Sequence, residues 1–315
     1  MSKVTGKKSG ELAAKLPKVP THAPAEPAPP KERFKFDAIA IVKSQAFLPG
    51  VLLFVGLCLM FWEVVKFLPS LWLSDDGYYS HGFLVPLISG FIVFKAWPRI
   101  KDRPVQTQWW AAVFLVPLLY LALVSNMVGI YSIASYTMVA CMLVSVLMLA
   151  GWQWLRALFF PICYLLFALP IWSMVIDVYT NPLQIVSTKV AYKLLEWFGL
   201  QPFEANSTTI FLNSGFALDV GVPCSGLKLI LALSAFTVFF ILVARLKAWA
   251  NAFLAILVLP LAIAINGLRI ALIGVVGDHY GAEAGIKFHD YSGYITLLIC
   301  FFILFKVARG LGWKD

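Results

Sequence analysis

Charge is what this chain has least of. Asp, Glu, Lys and Arg make up 13% of its 315 residues, where soluble domains carry about 25%, and apolar residues make up 61%. That deficit excludes an ordinary soluble domain, and a mean hydropathy of +0.84 points to a membrane protein. Cysteine is also scarce. Cys58, Cys141, Cys163, Cys224 and Cys300 show no CxxC or paired spacing, which argues against a disulfide framework or a zinc ribbon. The four histidines lack HExxH or comparable ligand spacing, so neither a metal nor a cofactor is expected. Residues 1–46 hold no apolar core of signal-peptide length, and the first span is expected to serve as an uncleaved anchor.

The net charge of +9 does not imply nucleic acid. Nine of the 25 Lys and Arg precede Phe47, and most of the rest flank apolar runs, as membrane orientation requires. Residues 1–45 are rich in Lys, Pro and Ala and cannot bury enough apolar surface to order themselves, so they are expected to form a disordered cytoplasmic tail. Residues 46–315 read as one polytopic domain. A helix needs about 20 apolar residues to cross the hydrocarbon. Eight such runs are present, at about 47–68, 82–97, 109–130, 133–150, 155–176, 225–244, 250–276 and 292–309. The fold class is therefore an all-α integral membrane protein with about eight transmembrane helices.

Orientation follows from the cations. Lys95, Arg99, Lys101 and Arg103 follow the second run, Arg156 the fourth, Arg245 and Lys247 the sixth, and Lys306, Arg309 and Lys314 the eighth. All are cytoplasmic if both termini are, which leaves the loop with Asp75 and Asp76 outside. The one long outer segment, 177–223, begins with Asn181 and Pro182, a pattern that predicts a helix start. Leu183, Val186, Val190, Leu194 and Phe198 then recur at helical spacing opposite Lys189, Lys193 and Glu196, predicting an amphipathic helix in the membrane interface or packed on its neighbours. Residues 208–212 and 216–220 flank Asn213-Ser214-Gly215 and predict a β-hairpin leading to Cys224.

Three reactive side chains sit at outer edges of separate spans. Cys224 follows Pro223 at the predicted start of the sixth, where unpaired helix N–H groups would lower a thiol's pKa, with Lys228 adding to the effect at i+4. Arg269 stands several residues inside the seventh span, where an ionisable group is costly and reads as functional; its fixed guanidinium suits an oxyanion or a carboxylate. His289 precedes the last span and can move protons near neutral pH, with Asp290 placed to orient it. His81 and His279 also fall outside. With His289, Asp278 and Asp290 they form a weaker metal-binding alternative. On the residues alone, Cys224 remains open to a purely structural reading.

At these positions the chain resembles the exosortase and archaeosortase family of membrane transpeptidases. The matching pieces are Ser80-His81-Gly82-Phe83, Pro223-Cys224-Ser225-Gly226-Leu227-Lys228, Asn266-Gly267-Leu268-Arg269 and His289-Asp290-Tyr291-Ser292-Gly293, in the same order, within residues 45–312. The resemblance implies Cys224 as nucleophile, completed by Arg269 and His289, with His81, Lys228, Asn266 and Asp290 binding substrate or supporting the site. It also implies a location in the cytoplasmic (inner) membrane and exported substrates with a C-terminal sorting signal: a short motif such as Pro-Glu-Pro, a transmembrane helix and a basic end. An acceptor amine or a companion protein is compatible with this. Two rival classes remain, a transporter of polysaccharide or lipid precursors using Arg269 and Lys228, and a scaffold of an export complex.

Overall fold

Runs of Leu, Ile, Val, Phe and Ala without a polar face favour helices that bury their backbone hydrogen bonds in hydrocarbon. The computed structural model, which describes residues 47–313 except 75, 76 and 205, is built largely of such helices. The expected tail, Asp75, Asp76 and Lys314 lie outside the described residues. In chain order the helices are α1 (Phe47–Met60), α2 (Trp62–Trp72), α3 (Leu84–Ile100, entered through a 3-10 turn at Ser80–Phe83), α4 (Ala112–Met127), α5 (Tyr131–Ala150) and α6 (Trp152–Tyr164). After them come α7 (Ser173–Trp197), α8 (Leu227–Ala244), α9 (Ala248–Tyr280) and α10 (Ala282–Gly310).

Among the described residues six helices are long and apolar enough to cross a membrane, and a seventh crossing is added if α1 and α2 form one span bent by 54°. The expected run at 155–176 is not one helix. It breaks at Leu169, which is extended (φ −108°, ψ 155°) before Pro170, because a residue preceding proline is pushed out of the helical region. Short as it is, α6 with its 3-10 extension to Ala168 runs the depth of α3. At one end Arg103 donates to the Gln153 carbonyl (2.7 Å), midway Ser89 donates to Pro161 (2.7 Å), and at the other Trp72 Nε1 donates to Ala168 (2.8 Å).

The Leu169–Pro170 break also overturns the expected helix start at Asn181. The helix α7 begins at Ser173 and carries Pro182 inside it. Nor does α7 lie flat in the interface. Asn266 of α9 bonds Ser187, a Cβ on Gly267 would strike Val190, and one on Gly274 would meet Leu195 at 3.1 Å. These partners advance together, so α7 runs lengthwise and parallel to the last half of α9. Its buried face is Ser187, Thr188, Ala191 and Leu195, while Val186 and Phe198 of the expected apolar stripe are exposed.

The 33 residues of α9 and 29 of α10 span about 50 and 43 Å, well beyond the ~30 Å of hydrocarbon. They form an antiparallel hairpin that turns at Gly281. A small antiparallel sheet, β1 (Phe203–Glu204), β2 (Thr209–Phe211) and β3 (Ala217–Asp219), packs on its tip through Phe216 against Gly277 and Gly285. The hairpin expected at 208–220 is β2 and β3; β1 is an addition. Side-chain exposure marks where the polar head begins. On α7, exposed Val178, Tyr179 and Val186 give way to Lys189, Lys193 and Glu196. On α10, the exposed pair Glu283 and Lys287 gives way to Tyr291, Tyr294, Ile295 and Leu298. Aromatic residues at such a changeover are typical of the membrane boundary.

Candidate active site

Four segments meet at that changeover. The strand β3 descends beside α9, with Phe216 at Gly277 and Leu218 at Gly274, and delivers the chain to a single 3-10 turn, Val222–Cys224. Cys224 N–H donates to the Gly221 carbonyl (2.9 Å), closing the turn. The thiol is therefore not in the first turn of α8, which starts only at Leu227. Between them Gly226 adopts a left-handed conformation (φ +86°), and a Cβ there would sit 2.9 Å from Asn266 Nδ2. Asn266 fills that space to donate to the Cys224 carbonyl (2.8 Å) and to Ser187 Oγ (3.1 Å), while Ser187 donates to the Ser225 carbonyl (3.1 Å). Gln184 donates to the Val220 carbonyl. Three side chains from α7 and α9 thus clamp the backbone on both sides of the cysteine.

The reactive groups converge on this clamped turn. Cys224 Sγ lies 2.9 Å from His289 Nε2, and His289 Nδ1 lies 3.2 Å from Asp290 Oδ1. His289 is not in a loop before the last helix, because α10 starts seven residues earlier, at Ala282. That helical backbone fixes His289 and Ser292 three residues apart on one face. Arg269 donates from Nε to Ser292 Oγ (3.0 Å) and from Nη2 to the His289 carbonyl (3.2 Å). Both acceptors are neutral, and among the described residues no carboxylate lies within 4.0 Å of the guanidinium. Asp290 acts on the guanidinium only from beyond that distance, so the half-buried cation still favours an anion beside it.

The thiol's environment differs from the one expected at a helix start. Burial pushes Cys224 up from the ordinary thiol value; Arg269 opposes that shift and Asp219 adds to it. The Lys228 side chain occupies the space beside Gly77 and its charge acts on His81. His81 is buried in the 3-10 turn before α3, where its neighbours Gly82 and Phe83 pack on Trp72, and neither ring nitrogen reaches a partner at hydrogen-bonding geometry, the Phe167 backbone being a marginal neighbour. His81 and Lys228 thus share a second locality, separate from the Cys224–His289 contact.

His279 is exposed at the tip of α9, 3.8 Å from Asp278, which Ser214 also bonds. No group of three His, Cys, Asp or Glu among the described residues is placed to hold a metal ion. Sequence reasoning missed Gln184, Ser187 and the Arg269–Ser292 contact. The available signal was the small and polar series Gln184, Ser187, Thr188 and Ala191 at helical spacing on α7, which is easily overlooked beside a stronger apolar stripe.

No curated protein and no solved structure shows significant similarity to the chain. A family model does. The transmembrane exosortase model matches residues 72–306, a stretch that holds every residue of the clamped turn, all of α9 and α10 as far as Lys306. With a match over most of its length, this membrane protein belongs to the transmembrane exosortase family.

Proposed function

We propose that the protein is a cysteine peptidase or transpeptidase that cuts exported, membrane-anchored proteins ahead of their C-terminal transmembrane helix, at the outer face of the cytoplasmic membrane. The observation that carries this reading is the 2.9 Å contact between Cys224 Sγ and His289 Nε2 beside a guanidinium that has no carboxylate within 4.0 Å among the described residues. His289 takes the thiol proton and the sulfur attacks the carbonyl carbon of the scissile bond. The oxygen of the tetrahedral intermediate becomes negative. The amides of Cys224 and Ser225 are already used within the turn, bonded to Gly221 and Val222, so Arg269 is the donor suited to that charge. The C–N bond then breaks, the leaving amine takes the proton from His289, and a thioester remains on Cys224. Water or an acceptor amine resolves it.

Placement at the membrane boundary suits a substrate cut just before its transmembrane helix. The basic residues at the ends opposite the sheet, among them Arg99, Arg103 and Arg245, favour a cytoplasmic side there and an outer site. The substrates are expected to end in a sorting motif, a helix and basic residues. Mass spectrometry of protein C-termini in cells carrying Cys224→Ala tests this reading. Sorted proteins are expected to keep their C-terminal helices in that strain and to lose them in the wild type. Full removal of those helices by a normally expressed Cys224→Ala protein would end the proposal.

A further inference from the structure

The strand leading to Cys224 is an edge strand. Its pairing with β2 places Thr209 opposite Asp219, Ile210 opposite Leu218 and Phe211 opposite Ala217. The flanking bonds Leu212 N–H to Phe216 and Val220 N–H to Thr208 set the parity of the ladder. In an antiparallel pair, hydrogen-bonded and non-hydrogen-bonded positions alternate. Leu218 therefore turns its backbone groups to β2, and Ala217 and Asp219 turn theirs to the opposite side. There the Ala217 N–H, the Ala217 C=O and the Asp219 N–H have no hydrogen-bond partner among the described residues, and the Asp219 C=O accepts only from Gly221. Both residues are exposed. Among the described residues no further strand, and no bulge or proline, covers this edge, although such protection is common on natural edges.

Direction gives the edge a use. The strand passes Gly277 and then Gly274 of α9 and ends five residues before Cys224, whose carbonyl is bonded by Asn266. It thus runs from the head down to the membrane boundary. A chain whose exported part lies in the head and whose next segment enters the hydrocarbon must travel the same way.

We infer that the open edge of β3 receives the extended stretch of substrate preceding the scissile bond as a parallel fourth strand, guiding it down α9 to Cys224. This inference rests on the proposed cleavage of membrane-anchored proteins and adds how they are held. Main-chain bonds to Ala217 and Asp219 supply affinity with little demand on side chains, as in other strand-addition complexes. Recognition of the stretch before the cut is then largely by extended conformation.

The proteins whose C-terminal helices are retained in Cys224→Ala cells serve as the substrates for the test. Ala217→Pro removes an N–H that the sheet does not use and obstructs strand addition. Processing of those proteins is expected to slow by about fivefold or more, the scale of one net hydrogen bond. Alkylation of Cys224 by iodoacetamide should stay at the wild-type rate, which shows that the turn is intact. Wild-type processing by Ala217→Pro overturns the inference while leaving the enzyme reading standing. A second measurement does not depend on proline being tolerated. In a Cys224→Ala background, Ala217→Cys and Asp219→Cys are tested for disulfide cross-links to cysteines placed along the substrate. A parallel strand predicts that Asp219→Cys captures a position about two residues nearer the cut than Ala217→Cys does. The reverse order, or no cross-link from either position, overturns the inference. If no helix is retained in Cys224→Ala cells, the enzyme reading falls first and this one with it.

Discussion

Two charges of opposite sign act on the Cys224 sulfur, and they pull its protonation in opposite directions. Arg269 favours the thiolate, whereas Asp219 and burial favour the thiol. Burial raises the thiol's pKa despite Arg269, and in the proposed reaction the 2.9 Å contact with His289 is the route for removing the proton as the carbonyl arrives. This arrangement separates the two charges by experiment. Arg269→Gln removes the group that lowers the thiol's pKa, so the midpoint of iodoacetamide alkylation against pH should rise. Asp219→Asn removes a group that raises it, and the midpoint should fall. At a fixed neutral pH the rates should rank Asp219→Asn above wild type above Arg269→Gln. An unchanged midpoint in Arg269→Gln would place the guanidinium outside the field of the sulfur and remove it from the mechanism.

The elements that hold this chemistry meet along one seam. Between α7 and α9 the contacts Ser187 to Asn266, Val190 to Gly267 and Leu195 to Gly274 bring the two backbones close, and Asn266 passes that closeness on to the Cys224 carbonyl. A Cβ on Gly267 would collide with the branched side chain of Val190, and overpacking of this kind costs about 1–3 kcal/mol. Gly267→Ala is therefore expected to lower the detergent-solubilised Tm and to slow processing, and Val190→Ala in the same protein should restore much of both. A double mutant no better than Gly267→Ala would mean that the seam does not set the position of the turn. The seam was also the part least legible beforehand. Cys224, Arg269 and His289 stood out because reactive or charged groups are rare in so apolar a chain, and the β2–β3 hairpin stood out through Asn213-Ser214-Gly215. The path of α7 did not. Two proline signals competed, at Pro170 and Pro182, and the break falls at the first. Apart from Leu195 the buried face of α7 is small or polar, so it carries little hydrophobic period, and its fit to Gly267 and Gly274 depends on a partner 77 to 79 residues away. The activation expected for Cys224 failed for a related reason. The left-handed turn at Gly226 separates the thiol from the start of α8, and Lys228 turns to Gly77 instead.

At the scale of the whole molecule, the question is where the membrane lies and which side the head faces. Exposed Val178, Tyr179 and Val186 on α7 and Tyr291, Tyr294 and Leu298 on α10 lie to one side, and the exposed charges Lys189, Lys193 and Glu196 on α7 and Glu283, Lys287 and Asp290 on α10 lie to the other, with Asp177 an exposed charge on the apolar side. A boundary through those points passes the level of Asn266 and Arg269, and the proposed function requires the Cys224 turn to lie at the water–lipid interface there, with the sheet outside the hydrocarbon. The cations Lys101 and Arg103 follow the far end of α3, where Arg103 bonds the Gln153 carbonyl. The charge bias of such loops favours the cytoplasm. Depth and side then make a joint prediction from three single cysteines in a background lacking the native ones. A fluorophore on Val186→Cys should be quenched by a lipid-phase quencher. Lys193→Cys, two helical turns further along α7, should instead be quenched from water and labelled by an impermeant maleimide added outside intact spheroplasts. Lys101→Cys should react with that reagent only after the membrane is opened. Labelling of Lys193→Cys solely after opening would invert the molecule and place Cys224 in the cytoplasm, out of reach of an exported substrate. Lipid-phase quenching of both α7 sites would sink the head into the bilayer, where an unpaired β3 edge and a hydrolytic resolution of the thioester are equally hard to sustain.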